Sequence, residues 1–190
     1  ALEREGTVQR ILDDRDKRSA ILQTFTTHYV TIENLIASTT YRFRIGEGID
    51  TIFDQQSQPY EVRTGTSLSD PPSPYSAQGL ILTSSRAPAI GSMVFMELPG
   101  GQRISSLVTS SGNWIIPLST VRDQQLASWL PYDRSSTTYT LNVEGGVEGR
   151  ADAVVTSAGD RPVPPIVLGQ SYDFRQGRDP VGIASSVRPT

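Results

Sequence analysis

The stretch His28-Tyr-Val-Thr-Ile-Glu-Asn-Leu-Ile-Ala-Ser-Thr-Thr-Tyr-Arg-Phe-Arg-Ile45 holds two strand-period patterns joined by a short turn. Val30 and Ile32 fall two apart, Leu35 closes the first pattern, and Tyr41, Phe43 and Ile45 alternate with Arg42 and Arg44 in the second. Successive side chains of a strand point to opposite faces, so this spacing collects the apolar set on one face and leaves the arginines in water. Val30, Ile32, Tyr41 and Phe43 are therefore the expected apolar face of the first part of the chain.

Upstream, residues 1–22 fit a strand followed by the charged loop Asp13-Asp-Arg-Asp-Lys-Arg18 better than a polar helix around Val8, Ile11 and Leu12. Further strands are expected over 22–26, 28–35, 40–47 and 59–64. Ser67-Leu-Ser-Asp-Pro-Pro-Ser-Pro-Tyr75 pairs poorly in a sheet and reads as a stiff linker. A second strand-rich module follows, with strands expected at Ala77–Thr83, Ser92–Leu98, Arg103–Thr109, Asn113–Leu118, Thr138–Val143, Ala151–Ser157 and Ile166–Leu168. Turn signals separate them: Ala87-Pro88, Pro99-Gly100-Gly101, Ser110-Ser111-Gly112, Gly145-Gly146 and Ala158-Gly159-Asp160. Residues 121–137 are the main irregular insertion, with room for a helical turn near Gln124–Trp129. Short, regularly spaced strands with such turns indicate an all-β fold built as a sandwich.

The composition agrees. At 190 residues, with 36% hydrophobic and 19% charged residues, the chain holds either one large domain or two small ones. Sixteen glycines and thirteen prolines suit short strands between turns. A net charge of -3 argues against a nucleic-acid partner, because such domains carry a basic face that displaces phosphate counterions. The absence of cysteine excludes disulfides, thiolate nucleophiles and cysteine metal sites. No apolar stretch reaches the ~20 residues of a membrane span and no signal peptide is present, so an exported protein would be a mature or excised form.

Leu35, Thr39 and Tyr41 resemble the Leu-x-Pro-x-Thr-x-Tyr sequence that leads into strand F of a fibronectin type III domain, with Ala37 in place of the proline. The resemblance implies a "tyrosine corner", in which the Tyr41 hydroxyl folds back onto the backbone of the preceding turn. It also implies seven strands, with roughly 60 residues and a core tryptophan ahead of the signature. Only 27 residues precede His28 and no tryptophan occurs before Trp114. Residues 7–26 can supply strands C and C′, and strands A and B are missing. The second module is similar to carboxypeptidase-regulatory-like, prealbumin-type sandwiches of bacterial surface proteins. The similarity is carried by Gln78-Gly-Leu-Ile-Leu82, the Pro88-Ala-Ile-Gly91 turn, Met93-Val-Phe-Met96, Leu107-Val-Thr109, Gly112 and Trp114-Ile-Ile116. Related domains can carry a Lys–Asn isopeptide bond. Lys17 is the sole lysine of the chain, so that cross-link cannot form within 76–174. The resulting division is an immunoglobulin-like module at 1–66, a linker at 67–75, a second β-sandwich at 76–174 and an extended tail at 175–190.

Reactive chemistry finds little footing. His28 is the sole histidine, and a catalytic triad would need Asp13, Asp14 or Asp16 to orient it and a serine that no motif singles out. Asp13, Asp14 and Asp16 offer the hard oxygens that calcium prefers, but they lack the glycine and bidentate glutamate of an EF-hand, and Arg15, Lys17 and Arg18 favour a salt-bridged loop. Glu47, Asp50 and Asp54 sit in a loop of the kind that carries recognition residues. The acids are too scattered for glycosidase chemistry, and Gly145, Gly146 and Gly149 form no phosphate cradle. Trp114 and Tyr139 belong to apolar strands; Trp129 and Tyr132, in the irregular insertion, are the aromatic pair that could stack on a sugar or pack onto the sandwich. No catalytic, cofactor or metal residue is assigned.

In the tail, Val181, Ile183 and Val187 share one parity, as in an opening strand placed at the wrong end of the chain. Two readings stand side by side. Either the tail of one subunit completes the N-terminal module of the next, with Val30, Ile32, Tyr41 and Phe43 as the acceptor face, or the tail is a linker of a longer protein. The expected function is a non-enzymatic structural or adhesive protein of a bacterial cell surface or extracellular fibre. Its partners would be itself or neighbouring surface-protein domains. The alternative is a carbohydrate- or ligand-binding accessory module of a secreted protein.

Overall fold

Alternation of apolar and polar residues places the strands of the second half almost where they form. They are β7 (Ser76–Leu82), β8 (Met93–Glu97), β9 (Ile104–Leu107), β10 (Asn113–Pro117), β11 (Thr138–Glu144), β12 (Arg150–Thr156), β13 (Ile166–Val167) and β14 (Ser171–Asp173). The computed structural model describes residues 2–4, 7–47, 51–53 and 58–175, with side chains from 9–46 and 58–175. Within it the chain divides into unit 1, Ala1–Ser69, and unit 2, Asp70–Thr190.

Unit 2 has a three-stranded sheet, β10-β7-β13, and a five-stranded sheet, β14-β12-β11-β8-β9. β10 buries Trp114 and Ile116 and exposes Asn113, Ile115 and Pro117; β11 buries Tyr139, Leu141 and Val143. These inward residues of both sheets, with Ile81, Val94, Met96, Val155 and Ile166, form one buried cluster. Two apolar faces closing on each other is the way a sheet removes its hydrophobic side from water. The long β11–β12 hairpin, in register from Thr138↔Thr156 to Glu144↔Arg150, anchors the larger sheet. Gly112 makes the turn into β10 at φ +83, where an added Cβ would also lie 2.9 Å from Leu80. At the far side the chain passes between the sheets. β13 runs parallel to β7 and β14 parallel to β12, and the Tyr172 hydroxyl accepts the Val167 N–H at 3.0 Å. The strand β14 and this bond were not expected from the sequence.

The segment 124–129 forms no helix. Arg122 and Trp129 pair across a loop closed by Asp123, whose carboxylate accepts the Ala127 N–H at 2.9 Å and the Ser128 hydroxyl at 2.7 Å. A short polar side chain that bonds local backbone competes with the helix for those donors.

Unit 1 departs further from expectation. Its four-stranded antiparallel sheet has the order β2 (Thr7–Gln9), β1 (Leu2–Arg4), β3 (Thr40–Phe43), β6 (Tyr60–Arg63). β4 (Ile45–Glu47) and β5 (Thr51–Phe53) form a separate ribbon, so the expected 40–47 strand is broken at Arg44. The strands expected at 22–26 and 28–35 do not form; both segments are irregular. The charged run expected as a loop is a helix, α1 (Asp14–Ser19). Its charges are ordered as a helix requires. Asp13 caps the N-terminus, Asp14 and Asp16 lie in the first turn, Lys17 and Arg18 in the last, and Ala20 closes it at φ 56. Among the described residues no helix is long and apolar enough to cross a membrane.

Candidate functional site

The most elaborate side-chain constellation of unit 1 grows from α1. Its three aspartates turn to the segment that follows the helix. Asp13 accepts the Tyr29 N–H at 2.9 Å, Asp14 the Thr31 N–H at 3.0 Å and Asp16 the Gln23 N–H at 3.0 Å. Arg15 chelates Asp13 through Nε at 2.9 Å and Nη2 at 2.8 Å, donates to the Thr27 carbonyl, and lies 3.6 Å above the Phe25 ring. Lys17 bridges Asp14 at 2.8 Å and the Thr31 carbonyl at 3.0 Å.

Burial pushes the Asp13 carboxyl up, but the bonds from Arg15 and Tyr29 outweigh it and hold the group well below the usual carboxylate range. Asp14 is lowered in the same way, against burial, by Lys17 and Thr31. The three carboxylates thus diverge onto separate donors, and no metal-holding group of three His, Cys, Asp or Glu occurs among the described residues. His28 sits with Nδ1 3.3 Å from Asp13 Oδ2, its side chain 54% exposed. That carboxylate already serves Arg15 and Tyr29, so the contact belongs to a structural clamp. Asp13→Ala is expected to cost this clamp about 1–3 kcal/mol, because the Arg15 guanidinium and Tyr29 N–H lose a buried acceptor. Exchange of the Tyr29 amide should accelerate roughly 5- to 160-fold, the same energy on a logarithmic scale. An unchanged exchange rate would show that the segment is held elsewhere.

The expected acceptor face is only partly assembled. Tyr41 is 3% exposed, and its hydroxyl accepts the Ile36 N–H at 2.8 Å. Phe43 stacks on Tyr60 at 5.3 Å, and Ile32 is half-buried. Val30 is 44% exposed and joins Leu35, Ile36, Ile45 and Val62 as apolar surface. Of the buried apolar residues described, Tyr41 alone lies in unit 1. The side chain of Glu47 lies outside the described residues, as do Asp50, Asp54, Val181, Ile183 and Val187.

The expected sugar-stacking pair divides: Tyr132 turns onto the core, while Trp129 stays half-buried beside Arg122. Trp129 lies against the Arg122 guanidinium at 5.4 Å, and Tyr132 packs on the core beside Tyr75, ring centres 6.1 Å apart. The Tyr132 hydroxyl is buried near Arg134 without a well-formed hydrogen bond.

Sequence reasoning missed a buried acid. Asp160, fully enclosed, accepts hydrogen bonds from Tyr75 at 2.9 Å and Tyr139 at 3.1 Å. Burial pushes the Asp160 carboxyl up against those bonds. Burial, with Asp160 beside it, pushes the Tyr75 phenol up to about 12 and raises Tyr139 further. Arg134 and Arg161 lie 4.9 and 5.0 Å from the Tyr75 ring, and the Leu118 N–H donates to the Tyr75 carbonyl at 2.8 Å. Tyr75, expected to end a linker, is fastened within unit 2, as is Ser73, whose carbonyl accepts Arg134 Nη2 at 2.8 Å. The Ala158-Gly159-Asp160 signal marked only a turn, and nothing local indicated its buried partners.

Compared with known proteins, the chain matches no family model, no curated protein and no solved structure.

Proposed function

We propose that the chain is a non-enzymatic structural protein of a bacterial cell surface or extracellular fibre, in which unit 1 is the acceptor for strand addition and unit 2 a self-sufficient β-sandwich. One observation carries the reading: unit 2 encloses a continuous core, whereas Tyr41 is the sole described buried apolar residue of unit 1. A domain of this size that leaves Val30, Leu35, Ile36, Ile45 and Val62 at its surface gains little from burial and is completed by what covers it. The sheet order β2-β1-β3-β6 and the Tyr41–Ile36 bond support a fibronectin type III-like half-sandwich, with β3 and β6 in the places of F and G and β1 and β2 in those of C and C′. Residues 28–35 then stand in the place of strand E, and what covers Val30 takes the places of strands A and B.

Complementation by the tail gives a head-to-tail homopolymer, because the donor and acceptor surfaces differ. Sedimentation and electron microscopy of the full chain and of a variant lacking residues 176–190 test this. The full chain should form longer species as its concentration rises, and the deletion should stay monomeric. Fibres of undiminished length after the deletion, or a monomeric full chain at every concentration, would overturn it. Glycan binding that depends on Trp129 would instead support the accessory-module reading.

A further inference from the structure

We infer that the segment Tyr29–Ile32 is a strand edge held ready on one side for residues 181–187 of a second copy of the chain. The inference rests on the assembly reading above and specifies where assembly takes place.

An extended chain presents the N–H and C=O of alternate residues to opposite edges. Tyr29 and Thr31 spend all four of their backbone groups on residues 13–17. The Tyr29 N–H goes to Asp13 at 2.9 Å and its carbonyl accepts the Asp14 N–H at 2.9 Å. The Thr31 N–H goes to Asp14 at 3.0 Å and its carbonyl accepts Lys17 Nζ at 3.0 Å. The groups of Val30 and Ile32, on the other edge, are bonded to nothing among the described residues. The helix and its cap thus substitute for one neighbouring strand and leave the place of the other vacant. Donors and acceptors repeating every second residue beside an exposed Val30 fit another strand, and strand addition is the recognition mode such an edge supports.

The tail matches that place. Fifteen residues follow Arg175, and Val181, Ile183 and Val187 alternate among Gly182, Ala184, Ser185 and Ser186, which are small enough for close backbone approach. Pro180 and Pro189 bracket the run and would end the pairing at each side. Seven residues span about 23 Å when extended, enough to cover the edge and its apolar surroundings. Arg188 closes the run with charge opposite to the exposed Glu33 at the end of the edge, while Asp179 offsets Arg178 at the other end.

Amide hydrogen exchange on the full chain, dilute and assembled, tests the edge residue by residue. In the dilute protein Tyr29 and Thr31 should be protected while Val30 and Ile32 exchange freely. On assembly Val30 and Ile32 should slow at least tenfold, with Tyr29 and Thr31 unchanged. Ile183→Asp should abolish the gain and leave the Tyr29 and Thr31 protection intact. Assembly without slowing at Val30 and Ile32 would overturn the edge and leave the assembly reading standing. Absence of assembly would overturn both. Protection of Val30 and Ile32 already present in the dilute monomer would assign the place to the chain's own residues and overturn exchange between copies.

Discussion

Trp114→Ala is expected to cost unit 2 about 3–5 kcal/mol, the range for removing a large aromatic side chain from a packed core. Trp114 of β10 is 2% exposed, opposite Gly79 of β7, and it is among the largest side chains of the cluster. Its indole fills the space a side chain at 79 would take: a Cβ there would lie 2.9 Å from Nε1. Gly79→Ala should therefore destabilise through overpacking, by about 1–3 kcal/mol. The indole N–H is buried without an acceptor. Trp114→Phe loses part of the packing but also removes that unsatisfied donor, so it should cost much less than alanine. Urea denaturation followed by circular dichroism checks the order, with Trp129 fluorescence as a second probe. A cost below about 1 kcal/mol for Trp114→Ala would show that the two sheets do not depend on this contact.

Asp160→Ala is expected to cost unit 2 about 2–4 kcal/mol, since two phenol hydroxyls lose their acceptor in a closed site. Asp160→Asn keeps an acceptor and isolates the charge. The folded-state pKa of Asp160 is raised by burial, so in the window above its ordinary 3.8 the folded chain holds a proton that the unfolded chain has released. The contribution of this group is full below 3.8 and is lost as pH rises through the raised value. The stability difference between wild type and Asp160→Asn should therefore move against wild type as pH climbs through that window. A difference constant with pH would sink the assignment. The Tyr75 phenol has the same sign at the alkaline end, its contribution fading as pH rises from 10 toward about 12. Unit 1 carries the opposite sign. Asp13 and Asp14 are lowered, so their clamp is present above the ordinary carboxylate range and is lost as acid protonates them. Both tryptophans lie in unit 2, so fluorescence reports that unit while Tyr29 amide exchange reports the other.

The strands of unit 2 were legible because each side of a strand repeats every two residues. That local signal survives wherever both a core face and a partner strand exist, as in β10 and β11. The Tyr41 hydroxyl bond, which joins residues five apart, was legible too, through the resemblance that Leu35, Thr39 and Tyr41 carry. The same five-residue bond from Val167 to Tyr172 went unread, although its spacing is identical. In the first unit the same period misled. Residues 28–35 carry a strand pattern, yet a ladder needs a neighbouring strand, and Tyr29 and Thr31 meet α1 and its cap instead. The acid–base run at 13–18 read as a solvated loop because its charge ordering matters only once a cap and a first turn exist.

By itself the sequence determined the all-β class and the strand positions of residues 76–168, because these depend on spacing within a few residues; a family resemblance placed the Tyr41 contact. Only the tertiary structure decided that Tyr75 meets Asp160, 85 residues away, and that Tyr132 turns inward. It alone decided that unit 1 leaves Val30 and Val62 uncovered, because burial and hydrogen-bond partnership are properties of neighbours in space.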